Sequence, residues 1–255
     1  MKRTGPNTSR AAAETAGIHA WYQGELAQTY YFSSDGGATE DPRNVWGGGT
    51  EIPYLKGVVD PYEESIADEI EKAYGSRDYR WTVTLTKSDL ENLAEKLRET
   101  GYQCSDIVDI RVSEYTPTGN VGTLTFTDSK GKSYSFSREK VVRTWMGAPS
   151  MHYTISNGGQ YYVDDSGDSL SSLNGAYAIG ADGTVAQIGT TSAPFMITSS
   201  GLEQLGASSG DEITLVGAGW GHNVGMSQWG AYAMAKQGKT YDEILKFYYT
   251  GIELY

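Results

Sequence analysis

The stretch VGAGWGHNVGMSQWGAYAMAKQG, from Val216 to Gly238, sets His222 among glycines and between Trp220 and Trp229, with Ser227 and Gln228 opening a helix-like run. Glycines allow positive φ and close backbone approach, so their N–H groups can point at whatever occupies the loop. An imidazole held there can donate a proton to a polar ligand or abstract one. The same residues also suit a structural crossing, in which His222 bonds buried carbonyls and the glycines let two indoles pack. On the residues alone both readings stand.

Spacing excludes the common alternatives. A phosphate loop ends in Gly-Lys-Ser/Thr, and the Gly-Lys pairs here, Gly131-Lys132 and Gly238-Lys239, lack the loop that precedes it. A dinucleotide fingerprint needs a sixth-position glycine, but counting from Gly217 reaches His222 and from Gly219 reaches Val224. Zinc takes three or four ligands, yet His19 and His152 stand in unrelated contexts, Cys104 is the only cysteine, and H-E-x-x-H is absent. The expectation is no metal and no cofactor. Carboxylates gather from Asp35 to Asp41, a group that reads as a solvated loop, and at Glu63-Glu64.

The elements that position these residues are short. IHAWYQGELAQTYYF reads as a hairpin turning at Gln23-Gly24. A proline- and glycine-punctuated loop follows, with Pro42, Pro53, Pro61 and Gly47-Gly48-Gly49, and SIADEIEKAYG adds an acidic helical turn. RWTVTLT alternates as a strand. SDLENLAEKLRETG is the strongest helix, with Leu90, Leu93, Ala94 and Leu97 on one face, Ser88 and Glu91 as its capping box and Gly101 as its stop. DIVDIRVSEYT, GTLTFTD and SYSFS are strands, and REKVVRTWMG a short helix. Asn174-Gly175 and Asp182-Gly183 signal further hairpins. Thr240 and Glu243 cap a last helix that stops at Gly251. The fold class is α+β, mainly antiparallel strands with a few short helices. Residues 80–147 read as an α+β subdomain inserted in a core of residues 1–79 and 148–255.

Composition narrows the partners. A chain of 255 residues with 38% hydrophobic and 20% charged residues is globular and long enough for a substantial core. A net charge of −12 leaves no basic face to displace counterions, so neither nucleic acid nor an anionic membrane surface is a partner. Nineteen tyrosines and six tryptophans against five phenylalanines favour aromatics with a polar handle, which suit either a wet groove such as a sugar cleft or simply a strand-rich fold. The single cysteine fits an exported bacterial protein and a cytosolic one equally. The first residues lack the apolar run of a signal peptide, and no stretch has the length of a membrane span.

Taken together, GWGHNVGMSQWGAYAMAKQGKTYDEILKFYYTGIEL resembles the C-terminal signature of the SpoIID/LytB family, close to G-x-G-W-G-H-G-V-G-M-S-Q-x-G-A, with Asn223 in place of the customary glycine. TYYFSSDGGATEDPRNVWGG is similar to the family's S-S-x-G-G-x-T-E…V-W-G block and IPYLKGVVDPYEE to the block after it, so the resemblance covers about residues 14 to 254.

The resemblance implies binding of peptidoglycan glycan strands and non-hydrolytic cleavage by a lytic transglycosylase, in cell-wall remodelling that includes sporulation. One carboxylic acid protonates the glycosidic oxygen, then assists the muramyl 6-hydroxyl in closing a 1,6-anhydro ring. The alternative is a glycan-binding module without an acid of its own that stimulates an N-acetylmuramoyl-L-alanine amidase. Either reading implies an extracytoplasmic location in a bacterial cell envelope, with the targeting segment outside this chain. The family's catalytic glutamate lies in a Y-L-x-G-V-V-x-x-E-M segment before an alanine-rich helix, expected upstream of Met1. YLKGVVDPYEE mimics its first part and makes Glu63 and Glu64 candidates, but the residues around it are those of the later block. The resemblance assigns glycan contacts to Ser33, Ser34, Glu40, Trp46, Trp220, His222, Ser227 and Gln228. The SSDGG and GHNVGMSQ blocks must then lie side by side.

Overall fold

Tight turns and helix caps set the element boundaries. The computed structural model describes residues 5–48, 51–74, 79–156 and 213–255, and between 161 and 204 the backbone of three short strand pairs. Helix α1 (Pro6–Glu14), with proline at its start, is followed by β1 (Ala20–Tyr22) and β2 (Glu25–Leu26). Gln23 at φ 50° and Gly24 at φ 86° form the primed turn that matches strand twist, as the Gln-Gly pair predicts. After β3 (Tyr31–Phe32), α2 (Pro42–Val45) is capped by Asp41, whose carboxylate accepts the Arg43 N–H. A 3-10 turn at Glu63–Ile66 leads into α3 (Ala67–Tyr74), the acidic helical turn expected there.

β4 (Arg80–Leu85) runs into α4 (Lys87–Glu99), which buries Leu90, Leu93, Ala94 and Leu97 as its periodicity requires. Its cap differs from expectation. Thr86, extended at φ −81° and ψ 170°, accepts the Asp89 N–H while Asp89 reaches back to the Thr86 N–H. Thr86 is the junction residue, and Ser88 already lies inside the first turn, so the box forms two residues earlier than Ser88–Glu91. β5 (Ile107–Tyr115), β6 (Val121–Asp128) and β7 (Ser133–Ser137) make one antiparallel sheet. The run REKVVRTWMG holds a π-helical segment at Lys140–Trp145.

β8 (Tyr153–Ser156) is followed by the antiparallel pairs β9 (Tyr161–Tyr162) with β10 (Ser169–Leu170), β11 (Tyr177–Ile179) with β12 (Val185–Gln187), and β13 (Phe195–Thr198) with β14 (Gly201–Gln204). The turns expected at Asn174-Gly175 and Asp182-Gly183 lie outside the described residues. β15 (Ile213–Ala218) is the centre of a second antiparallel sheet, with β4 and β8 on either side. β16 (Met226–Ser227) passes directly into α5 (Gln228–Lys236), then α6 (Tyr241–Tyr248), capped by Thr240 and Glu243 as expected, and β17 (Glu253–Leu254). β17 pairs with β1, so both ends of the fold close on one small sheet.

The fold is therefore α+β and mainly antiparallel. Its principal core is continuous from Val45 and Leu55 through α4 and the β5–β7 sheet to Tyr248 and Ile252. Apart from the isolated Glu40–Val224 bridge, which is parallel as well, the exception to antiparallel pairing among the described strands is β16 beside β3. That pair needs unusual proximity at Gly225, where a Cβ would stand 2.0 Å from the Tyr30 carbonyl oxygen. The same carbonyl accepts the Met226 N–H and the Tyr249 hydroxyl, so it has no room to retreat.

Gly225→Ala is accordingly expected to lose about 3 kcal/mol or more of unfolding free energy, left-handed strain and overpacking combined. Gly238→Ala meets the same left-handed strain at φ +86° but nothing within 4 Å. It should lose only about 1–2 kcal/mol. Urea unfolding followed by tryptophan fluorescence separates the two, and equal losses would show that the close approach at Gly225 carries no cost.

Candidate functional site

β3 and β16 bring together the two blocks that the sequence keeps far apart. Tyr31 pairs with Met226 and Phe32 with Ser227 in parallel register. The contact continues where Ser34 bridges to Trp220 and Glu40 to Val224. Glycines make it possible: a Cβ on Gly36 would stand 2.2 Å from the Ala218 carbonyl oxygen, and one on Gly219 2.6 Å from the Gly36 nitrogen. Asn223, at φ 63°, occupies the left-handed region its side chain tolerates best after glycine. It also does what glycine cannot. Its amide donates to the carbonyls of Asp35 at 2.9 Å and Ala38 at 3.0 Å, tying the histidine loop to a segment 188 residues away.

Glu63 lies at the centre of the junction and is fully buried. Its Oε2 accepts the Ser34 hydroxyl at 2.7 Å and the Gly36 N–H at 3.2 Å. Its Oε1 accepts the Asp35 N–H at 3.1 Å, the Gly230 N–H at 3.1 Å and the Ser227 hydroxyl. Burial raises its pKa, and the hydrogen bonds from Ser227, Ser34 and Asp35 oppose that rise. Ser227 is also the N-cap of α5, so the carboxylate sits at a helix N-terminus where its charge is favoured. Glu64, its neighbour, faces outward and pairs with Arg80.

A second saturated carboxylate supports the other end of the block. Glu40 is 2% exposed. It accepts hydrogen bonds from the Asp41 N–H, the Asn44 amide, the Thr116 and Thr118 hydroxyls and the Asn120 amide. Asn120 in turn meets His152, whose pKa burial lowers. The acidic run from Asp35 to Asp41 is thus not the solvated loop its composition predicts. Asp35, Glu40 and Asp41 are buried: Glu40 takes donors from Thr116, Thr118 and Asn120, while Gly37 and Arg43, two residues on, serve Asp35 and Asp41.

Asp35, Asp60 and Glu63 place one oxygen each within 4.8 Å of one another, the grouping among the described residues with metal-ligand types. The donor set does not fit a cation. Five donors fill Glu63, and Asp60 accepts the Tyr62 N–H and the Tyr248 hydroxyl. Of the three, Asp35 Oδ2 alone stays without a hydrogen-bond partner.

The outer face of the junction is aromatic. The His222 ring lies 5.3 Å from Phe32 and 5.3 Å from Trp46, and Trp46 lies 5.1 Å from Tyr30 in an edge-on contact. Trp46 donates its indole N–H to Glu139. The Nδ1 of His222 accepts the Val224 N–H at 3.0 Å, and the Tyr31 backbone also hydrogen-bonds to the ring. Burial lowers its pKa below the ordinary histidine value, so the ring is neutral at neutral pH.

The sequence-nominated residues therefore divide. Ser34, Glu40 and Ser227 lie inside the wall, with their polar atoms committed to it. Trp46 and Gln228 are exposed, and Ser33, Trp220 and His222 are half-buried. Ser33 accepts the Ser227 hydroxyl and the Trp229 N–H through its carbonyl. Asp60, Tyr248 and Gly230 were not among the nominated residues. The Asp60-Pro61 turn and the glycine inside QWGAY are their only sequence signals.

Glu63→Gln is expected to destabilise the chain strongly, because its amide would face donors instead of accepting from them. Each buried donor left without an acceptor costs about 1–3 kcal/mol, and at least two would be. Glu64→Gln breaks only an exposed pair and should cost less than about 1 kcal/mol. Chemical denaturation of both variants checks the difference, and a mild Glu63→Gln would show that the wall does not rest on that carboxylate.

No protein-family model matches the chain. Among curated proteins it is 28% identical over 267 residues to the amidase enhancer of Bacillus subtilis (strain 168), covering 97% of this chain and 32% of that protein. It is 27% identical over 245 residues to stage II sporulation protein D of the same strain, covering 96% and 50%. A shorter match to stage II sporulation protein D of Bacillus amyloliquefaciens is 50% identical over 46 residues, 18% of this chain and 13% of that protein. The chain spans about a third to a half of the length of the two long matches. Those alignments, nearly complete on this side, support kinship of the chain with the SpoIID/LytB family.

Proposed function

We propose that this chain is a peptidoglycan-binding module of the bacterial cell envelope, holding a glycan strand across the face where the two blocks meet. The observation that carries the reading is the aromatic row over that face. Tyr30 and Trp46 are 39% and 38% exposed and meet edge-on at 5.1 Å, and His222 packs directly against Trp46. Large exposed rings with polar handles offer a sugar both an apolar surface and hydrogen-bonding partners at its edge. On this reading Trp46 and Trp220 stack on sugar faces, while His222, Ser33 and Gln228 meet hydroxyl and acetamido groups. Ser34, Glu40 and Ser227 act from behind by fixing the wall. The names of the relatives, an amidase enhancer and a sporulation protein, support a role in cell-wall remodelling outside the cytoplasm. No helix among the described residues is long and apolar enough to cross a membrane.

Lytic cleavage needs a carboxylic acid that reaches the glycosidic oxygen. Glu63 does not meet that need: it is fully exposed to donors and not at all to solvent. Glu64 is solvent-facing and its carboxylate is paired to Arg80. The chain's own contribution to a transglycosylase reaction is then glycan positioning. The second reading, stimulation of an N-acetylmuramoyl-L-alanine amidase, is favoured by the match of 97% of this chain to 32% of a protein named amidase enhancer.

The chain is expected to co-sediment with purified glycan strands, and Trp46→Ala should weaken that binding by about tenfold, the order of one lost aromatic stack. Incubated with the same strands, it should give no 1,6-anhydromuramyl product by mass spectrometry. Product lost on Glu64→Gln would overturn the division of labour, and no retention on glycan would overturn the binding reading. An amidase accelerated by the chain but not by Trp46→Ala would join the two readings on one surface.

A further inference from the structure

Asp35 lies at the base of the SSDGG turn with no solvent exposure. Its Oδ1 accepts the Gly37 N–H at 2.7 Å. Its Oδ2 is buried and has no hydrogen-bond donor. A bare carboxylate oxygen in that position is costly unless a proton or a counter-charge meets it.

The groups around it supply no counter-charge. From the segment before the 3-10 turn comes Asp60, and from the turn itself Glu63, each with an oxygen in the same cluster of 4.8 Å. α6 contributes the Tyr248 hydroxyl, already donated to Asp60. The residue before β4 contributes Tyr79, whose buried hydroxyl has no hydrogen-bond partner. The histidine loop contributes the neutral amide of Asn223, which takes the Asp35 carbonyl. α5 contributes Gly230, whose missing Cβ would stand 2.2 Å from Asp60 Oδ2. Beyond Gly37 stands His152, which burial disfavours as a cation. Every titratable neighbour is acidic or neutral.

The three carboxylates are not equivalent. Five donors hold Glu63 as an anion. Two donors, one on each oxygen, make Asp60 an acceptor. Asp35 has a single donor and one open oxygen, so a proton shared within the cluster resides there. A cation would find Asp35 Oδ2 open and one remaining lone pair on each Asp60 oxygen, but could draw on Glu63 only by displacing donors already bound.

We propose that Asp35 is a neutral carboxylic acid in the folded protein at neutral pH, donating its proton to Asp60 and thereby fastening the serine–glycine turn to the segment under α6. It is a positioning residue for the wall of the site, and this inference stands whether or not the wall binds glycan. Burial first, and then the charges of Glu63 and Asp60, hold its carboxyl well above the usual carboxylate range, against the single opposing Gly37 N–H.

A folded-state pKa above the unfolded value of 3.8 means that the folded chain keeps a proton the unfolded chain releases. The contribution of this proton to stability is then fully present below the unfolded value and is lost as pH rises from there up to the folded one, by at most about tenfold in the folding constant per pH unit. Glu63, also raised, adds a slope of the same sign.

The test is urea unfolding as a function of pH on the wild-type chain, Asp35→Asn and Asp35→Ala, with infrared difference spectra of the protonated carboxyl stretch. Asp35→Asn keeps a donor of the same shape. It should remain folded, lose one proton's share of the pH slope, and be at least as stable as wild type in mild alkali. Asp35→Ala should be less stable than Asp35→Asn at every pH. The wild-type spectrum should show a protonated carboxyl at neutral pH that is absent in Asp35→Asn. An unchanged slope in Asp35→Asn, or no protonated carboxyl in the wild type, overturns the proposal, and the wild-type spectrum alone decides if the variants fail to fold. Stabilisation of the wild type by millimolar calcium or magnesium, lost in Asp35→Asn, would also overturn it in favour of a cation.

Discussion

The Glu63 carboxylate is the interaction on which the rest of the site depends. Its five donors come from the serine–glycine turn on one side and from Ser227 and Gly230 on the other, up to 167 residues away in sequence. Neither segment has regular structure long enough to hold itself in place. β3 and β16 are two residues each, and a two-residue parallel pair provides little on its own. A buried anion that must be solvated by protein donors supplies the missing constraint, because leaving any one of those donors unpaired is expensive. The helix N-terminus of α5 adds partial positive charge at the same point.

That constraint propagates through close contacts. Gly230 donates its N–H to Glu63 while a Cβ on it would stand 2.0 Å from the Tyr248 hydroxyl. α5 can therefore reach the carboxylate only with glycine at its third position, and only there can α6 bring Tyr248 onto Asp60. Asp60 returns to the turn through its own N–H on the Gly37 carbonyl at 2.9 Å. Carboxylates, hydroxyls and glycine backbones thus form a closed circuit with no lysine or arginine in it. The outer aromatics rest on this circuit: Phe32, paired with Ser227, carries the His222 ring, and His222 carries Trp46.

Much of this was legible in the sequence, and the remainder was hidden for physical reasons. The apolar period of α4, the Gln23-Gly24 turn and the Thr240–Glu243 cap are local signals, decided within one turn of chain, and the structure follows them. The α4 cap moved to Thr86 because the end of β4, a neighbouring element, sets where the extended backbone stops. The adjacency of the two glycine-rich blocks follows from a family resemblance and from no local pattern. The roles of Asp35 and Glu40 were not visible, since composition counts an acidic run as solvated. The Glu40 donors Thr116, Thr118 and Asn120 lie 76 to 80 residues away, and Asn223, which takes the Asp35 carbonyl, lies 188 away. Asn223 is the clearest case: its left-handed backbone is predictable from residue type, but its two cross-block hydrogen bonds are not.

The burial of these acids also bears on what the face can do. A general acid must touch its substrate and recover its proton from solvent, and both require an open oxygen. Glu40 and Glu63 have none, and the open oxygen of Asp35 points into the cluster and not outward. The groups beside the outer rings are a histidine whose ring is held by the backbone of its own loop and of Tyr31, and the Glu139–Arg143 pair, whose carboxylate accepts the Trp46 indole N–H. The same donor network that withdraws the carboxylates from chemistry fixes the backbone on which the rings rest, so the outer face is held rigid by groups that never reach it.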